Sequence, residues 1–157
     1  MIGTVSDHEK ARVAAANGAE EVIIGRGAEF IDRVRQLTDG RGADVIYDAI
    51  GRDSFDASVA ALAIRGHLVS FGQASGDIGP REIGPMASKS LTLSRPNYGH
   101  YIADRAMMTL QAERLFAALD RGFLTIPEPQ IAPLENVAEV HRELEAGRTT
   151  GAIVLEV

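Results

Sequence analysis

The chain is 157 residues long and 45% hydrophobic, with 16 Lys and Arg against 22 Asp and Glu for a formal net charge of -6. That composition suits one core of ordinary domain size, offers no basic face to nucleic acid, and holds no apolar run near the ~18 residues that span a membrane. No cysteine is present, which excludes disulfides and thiolate zinc sites, and His8, His67, His100 and His141 lack metal-ligand spacing. No signal-peptide pattern opens the chain, so a cytoplasmic location is expected by default.

In chain order, residues 2–5 form a short apolar, β-branched strand. Ser6 is placed to cap the helix that follows, with Glu9 as the reciprocal partner of a capping box. That helix is expected over 7–17, with Lys10 one turn in and Gly18 closing it. Residues 21–24 read as a strand. Phe30, Val34 and Leu37 recur at helical spacing over 29–37, before Asp39-Gly40. Residues 43–47 are an apolar strand running to Asp48. Asp53 or Ser54 caps a helix through residue 63 that carries Phe55, Val59 and Leu62. Gly66 breaks it before a strand over 67–71. A loop spans 72–89, and a strand over 90–94 ends at Arg95-Pro96. A long helix is predicted over 101–121, with Leu115, Phe116 and Leu119 on one side. An extended piece starts at Ile131, a helix covers 134–146, and a last strand covers 152–157.

Alternating strands and helices of this length predict right-handed βαβ crossovers and a mostly parallel sheet. Ligands in such sheets bind beyond the C-terminal strand ends, which here are Val5-Ser6, Ile24-Gly25, residues 48–51 and residues 71–73. The first ten residues read as the second strand and helix of a dinucleotide-binding fold, without its first strand and glycine loop. The tip of that strand faces the adenosine ribose. An acidic residue there takes the 2′-hydroxyl, whereas a hydroxyl at Ser6 with Lys10 nearby suits a 2′-phosphate. NADPH is therefore favoured over NADH, the plainer alternative being a capped surface helix.

YDAIG at 47–51 ends a strand with small residues, so that a cofactor can approach the backbone; Asp48 can orient the following loop, and Gly51 also suits a tight turn. VSFGQASG at 69–76 runs a strand into a Gly/Ser loop. There Phe71 can pack beside a nicotinamide ring, Gly72 admits close approach, and backbone groups near Gln73 can hold the carboxamide. Arg95 is expected to be solvated, or to meet a phosphate or a partner-chain carboxylate. Tyr98, His100 and Tyr101, and separately His67, read as structural or surface residues. No nucleophile elbow, P-loop or HExxH pattern occurs.

The strings GTVSDHEK, GAEEVI, LTDGRGADVIYDAIG, LAIRGHLVSFGQASG, LTLSRP and AGRTTGAIVLEV, in this order, resemble the zeta-crystallin-like quinone oxidoreductases of the medium-chain dehydrogenase/reductase superfamily. The resemblance covers essentially the whole chain, and the chain covers about the C-terminal half of such an enzyme. It implies a complete enzyme with a GroES-like catalytic domain and a Rossmann domain, which uses NADPH and reduces quinones or enones without zinc. It implies cofactor contacts at Ser6, Lys10, Phe71, Gly72, Gln73, Ser75 and Arg148; with Thr4 and Gly51, from the strand ends themselves, these are the expected cofactor-binding residues, with no catalytic side chain and no metal ligand. Arg148 matches an arginine that reaches the adenosine phosphate in some members. Relatives often carry a tyrosine near the adenosine where this chain has Gly25, a departure that weakens the adenosine site. The family commonly dimerises through the strand matching Leu91 to Ser94, an exposed edge.

Residues 1–125 are thus expected to be a partial Rossmann domain, and 126–157 a less anchored segment that packs back on the catalytic domain. The absent strand belongs between the strands at 2–5 and 43–47, and its loss leaves two unpaired edges and a thin core. Either those edges close on each other or another chain fills the gap. The apolar strand directly after Met1 is expected to mark a truncation, and the fragment alone to be inactive and to bind NADPH poorly, its phosphate cradle being absent. The rival functions are a non-catalytic nucleotide-binding or dimerisation module, and another doubly wound enzyme such as a methyltransferase, against which Val5-Ser6 argues.

Overall fold

A computed structural model describes residues 1–25 and 27–157, in two compact units, Met1–Tyr98 and Gly99–Val157. In the first unit the order is β1 (Ile2–Val5), α1 (His8–Ala16), β2 (Glu21–Ile24), α2 (Ala28–Leu37), β3 (Ala43–Asp48), α3 (Phe55–Ala61), β4 (Leu62–Ser70) and β5 (Thr92–Ser94). The second holds α4 (Arg105–Asp120), β6 (Gln130–Pro133), α5 (Val137–Glu145) and β7 (Ile153–Glu156). The protein is α/β, and among the described residues all strand pairs are parallel: β1 with β2, β3 with β4, β4 with β5, and β6 with β7.

The expected single sheet is interrupted. β1–β2 and β3–β4–β5 are separate ladders, and among the described residues none joins β1 to β3. The two edges have not closed on each other. Side chains hold the ladders instead: Ile23, Phe30, Val34 and Ala61 form one buried cluster, on which Ile2, Ala43 and Ile46 pack. A second cluster of Phe55, Leu62 and Leu68 shares Ile46 with the first and rests on the face of β3–β4 that α3 covers. The core is thin, as expected. Among the described residues its eight buried apolar side chains all lie between Ile23 and Leu68, and no buried residue follows Ser70.

Several element boundaries differ from the sequence expectation. Asp7, not Ser6, caps α1: its carboxylate accepts the Lys10 N–H at 2.9 Å, and the Ser6 hydroxyl donates to the same carboxylate at 2.8 Å. The residue three beyond the true cap is Lys10, so no reciprocal capping box forms around Ser6. Helix α3 stops at Ala61 rather than running to residue 63, because Leu62 is extended and pairs with Ala43. The regular β3–β4 ladder resumes only at His67, after a bulge in which Arg65 takes φ 61. The apolar spacing of Phe55, Val59 and Leu62 continued past the helix end because Leu62 is buried as an extended residue too. Asp104 caps α4 through the Met107 N–H at 2.8 Å, so that helix starts at Arg105, after a separate 3-10 turn at Tyr98–Tyr101. A 3-10 turn at Leu134–Asn136 likewise precedes α5.

Candidate functional site

β3 and β4 end level, with Asp48 opposite Ser70, so the loops that leave them meet at the C-terminal edge of the ladder. They are clasped by main-chain bonds. The Asp48 carbonyl accepts from the Phe71 and Gly72 N–H groups at 3.0 and 3.1 Å, the Ile50 carbonyl from Ser75 N–H at 2.8 Å, and the Gly76 carbonyl from Arg52 N–H at 3.1 Å. Ser75 closes the clasp with its side chain: the hydroxyl donates to the Ile50 carbonyl at 2.9 Å and accepts the Asp53 N–H at 3.0 Å. Among the described residues, the Gln73 N–H has no acceptor. Phe71 stands beside it, 54% exposed at the strand tip.

Gly51 and Gly72 serve this clasp directly. A Cβ on Gly51, which sits at φ +92, would lie 2.6 Å from the Gly76 carbonyl oxygen. A Cβ on Gly72 would lie 2.1 Å from the Ala49 carbonyl oxygen. The two glycines are required because one loop backbone lies against the other.

Beneath the clasp is a group whose reach the sequence did not disclose. Asp48 is 4% exposed. Its Oδ1 accepts from Ile50 N–H at 2.9 Å, Gly51 N–H at 3.1 Å and the Ser54 hydroxyl at 2.7 Å; its Oδ2 accepts from the Ser58 hydroxyl at 3.1 Å. The sequence signal lay in Ser54 and Ser58, four residues apart at the start of α3, which share one helix face behind an acidic strand end. Arg95 is exposed, in line with a solvated arginine, and its Nη1 also donates to the Ser70 carbonyl and hydroxyl at 3.2 and 3.1 Å, bracing the end of β4. His67 is structural, with Nε2 at 2.9 Å from Ser94 Oγ across β4–β5.

At the tip of β1, Lys10 Nζ lies 3.2 Å from Ser6 Oγ and 3.7 Å from the Asp7 carboxylate. The Lys10 N–H, then the Ser6 hydroxyl, hold the Asp7 carboxyl below its ordinary range. Thr4 is exposed on β1. Gly25 takes φ +112, and its N–H extends the β1–β2 ladder by donating to the Val5 carbonyl at 3.0 Å. An aromatic side chain would be strained at that backbone angle. In the second unit Arg148 binds Glu143 with two bonds of 2.8 and 2.7 Å. Glu143 is held below the usual carboxylate range by that guanidinium. Among the described residues no group of three His, Cys, Asp or Glu side chains is arranged to hold a metal ion, and no helix is long and apolar enough to cross a membrane.

Parallel strands whose C-terminal tips carry a glycine-dependent clasp and a Ser–Lys pair define an α/β domain of the dinucleotide-binding class. A family profile described as zinc-binding dehydrogenase matches residues 17–155, and the chain belongs to that family. It is 41% identical over 156 residues to a quinone oxidoreductase of Pseudomonas aeruginosa and 34% identical over 158 residues to quinone oxidoreductase 1 of Escherichia coli, each alignment covering 99% of this chain and 48% of the relative. Among solved structures, a mycobacterial protein complexed with NADPH superimposes with TM-score 0.92 at 36% identity, covering 99% of this chain and 49% of that one. The Escherichia coli quinone oxidoreductase complexed with NADPH superimposes with TM-score 0.91 at 33% identity and the same coverage. These likenesses place the chain among the Rossmann-type medium-chain dehydrogenases/reductases. The chain spans about half the length of the relatives it matches.

Proposed function

We propose that this chain is the dinucleotide-binding half of an NADPH-dependent oxidoreductase that transfers hydride to a quinone or enone. The observation that carries this is the superposition, over 99% of the chain, on proteins solved with NADPH bound. The donor set fits the cofactor. Lys10 and Ser6 hold a 2′-phosphate by charge and hydrogen bond, and Arg148 is assigned to the cofactor on the family resemblance alone. Phe71 flanks the nicotinamide, and the uncommitted Gln73 N–H donates to its carboxamide. Gly51, Gly72 and Ser75 act by keeping the two loops clasped. Thr4 completes the adenosine side. NADPH supplies the hydride when bound; the chain's residues bind it, orient it and fix one face of its ring.

No zinc enters the proposal. Homodimerisation through β5 is part of it, since among the described residues β5 pairs only with β4. We assign the protein to the cytoplasm, residues 1–125 to the cofactor domain and 126–157 to contact with the family's other half. The 157 residues alone are proposed to be inactive and weak NADPH binders, in keeping with their spanning about half of each relative. A non-catalytic nucleotide-binding module is the second reading, favoured by the same coverage.

The test is a titration of NADPH and NADH against this chain and against a version extended upstream to the full length of the relatives, of which this chain spans about half. Tighter binding of NADPH by the extended protein, lost in Lys10→Ala, supports the proposal. Equal binding of NADPH and NADH by every version rejects the 2′-phosphate assignment. Quinone reduction by the short chain rejects its inactivity.

A further inference from the structure

We infer that Asp48 is a positioning residue for the nicotinamide-side loop, an inference that rests on the cofactor assignment above. The two parts of this residue act on different loops. Its buried carboxylate gathers Ile50 N–H, Gly51 N–H and the Ser54 and Ser58 hydroxyls, which fixes the turn from β3 into α3. Its carbonyl accepts from Phe71 and Gly72 N–H, the two residues that lead to Gln73. The orientation of the Asp48 peptide is therefore set from one loop and transmitted to the other. The turn it fixes also carries the Ala49 and Ile50 carbonyls, which accept from Ala74 N–H at 3.3 Å and Ser75 N–H at 2.8 Å. Four of the amides in the second loop thus hang from a backbone segment that one carboxylate anchors. Gln73 lies between the two anchored pairs, so its free N–H is aimed by them without being consumed. Arg95, through Ser70, braces the same strand end from the other side.

What the site needs from Asp48 is acceptor geometry. Asparagine keeps one carbonyl oxygen for the Ile50 and Gly51 N–H groups, and its amide can donate to hydroxyls that rotate to accept. Alanine removes the carboxylate that serves all four donors; the Ser54 hydroxyl keeps its 3.2 Å bond to the Gly51 carbonyl, and the Ile50 and Gly51 N–H groups and the Ser58 hydroxyl lose this acceptor.

The experiment is residue-resolved amide hydrogen exchange on the 157-residue chain, comparing wild type with Asp48→Ala, Asp48→Asn and Ser58→Ala, and with Val34→Ala as a core-destabilised control. Asp48→Ala is expected to speed exchange at Phe71, Gly72 and Ser75 by roughly ten-fold or more relative to the amides of α2. Asp48→Asn is expected to restore wild-type protection, and Ser58→Ala to give a smaller rise at the same three amides. Uniform acceleration in Asp48→Ala, the same selective rise in Val34→Ala, or no difference between the Asn and Ala variants overturns the inference. Should Asp48→Ala fail to fold, the contrast of Asp48→Asn and Ser58→Ala with Val34→Ala decides it, a selective rise in Ser58→Ala being the supporting result. NADPH affinity of the upstream-extended protein is read in parallel. Loss of affinity in its Asp48→Ala variant with rescue by Asn is expected. An extended wild type that binds no NADPH while the selective exchange pattern holds overturns the cofactor assignment alone.

Discussion

Gly72 lies so close to Ala49 that a methyl group on its α-carbon would stand 2.1 Å from the Ala49 carbonyl oxygen. Both partners are backbone, and the carbonyl is itself held by the Ala74 N–H, so neither can step aside cheaply. This contact joins the ends of β3 and β4, and with them the segments to which cofactor contacts are assigned.

Gly72→Ala is therefore expected to destabilise the protein by about 2 kcal/mol or more, since overpacking a fixed contact costs on this scale. Gly79→Ala is the matched control: its φ of +66 is unfavourable for alanine, but nothing lies within 4 Å of the added methyl. That substitution should cost only about 1 kcal/mol of backbone strain. Urea unfolding midpoints of the two variants check the order.

Leu68 is fully buried between β4 and α3, whereas Tyr47, on the neighbouring strand, is 74% exposed. Truncating Leu68 to alanine opens a cavity in a thin core and is expected to cost about 3 kcal/mol. Tyr47→Ala should change stability by less than about 0.5 kcal/mol. Thermal denaturation of the pair measures how much of the first unit's stability rests on its second cluster.

The cap of α1 has a defined acid sensitivity. Asp7 is lowered from its ordinary carboxylate value of 3.8, first by the Lys10 N–H and then by the Ser6 hydroxyl. A carboxyl lowered on folding adds stability above its unfolded value, and that stability is lost as pH falls through the folded value. The Lys10 amide resonance is therefore expected to titrate below pH 3.8, and in Asp7→Asn its titration should vanish. A midpoint above the ordinary value overturns the cap assignment.

Arg148 is doubly bonded to Glu143, and each holds the other's charged form. If Arg148 reaches a phosphate, it must leave or share that carboxylate. Glu143→Gln is then expected to tighten NADPH binding by up to about five-fold at low salt, the scale of an exposed ion pair, and to leave NADH unchanged. Fluorescence titration of the upstream-extended protein at two salt concentrations tests this; equal gains for both cofactors reject a 2′-phosphate role.

Much of the architecture could be read from residue order. The strands at Ile2–Val5 and Glu21–Ile24 and the helix carrying Phe30 and Val34 lie where apolar spacing put them. Boundaries failed where two local signals competed. Ser6 and Asp7 are both good caps, and Asp7 took the role because its carboxylate reaches the Lys10 N–H while Ser6 donates to it. Leu62 continued a helical apolar pattern, yet it serves the core better as an extended residue paired with Ala43.

The sequence by itself determined the α/β class, a mostly parallel sheet and the two loops at the strand ends, because periodicity and glycine placement are local properties of the chain. Only the tertiary structure decided what those glycines are for. It spent Gly51 and Gly72 on contact between backbones, engaged Ser75 and Arg95 within the protein, and showed how far Asp48 reaches beneath the site. It also left the edges of β1 and β3 apart, a long-range outcome that no local pattern encodes. Those facts depend on which segments meet, and residues far apart in sequence acquire a shared role only when packing brings them within hydrogen-bond reach.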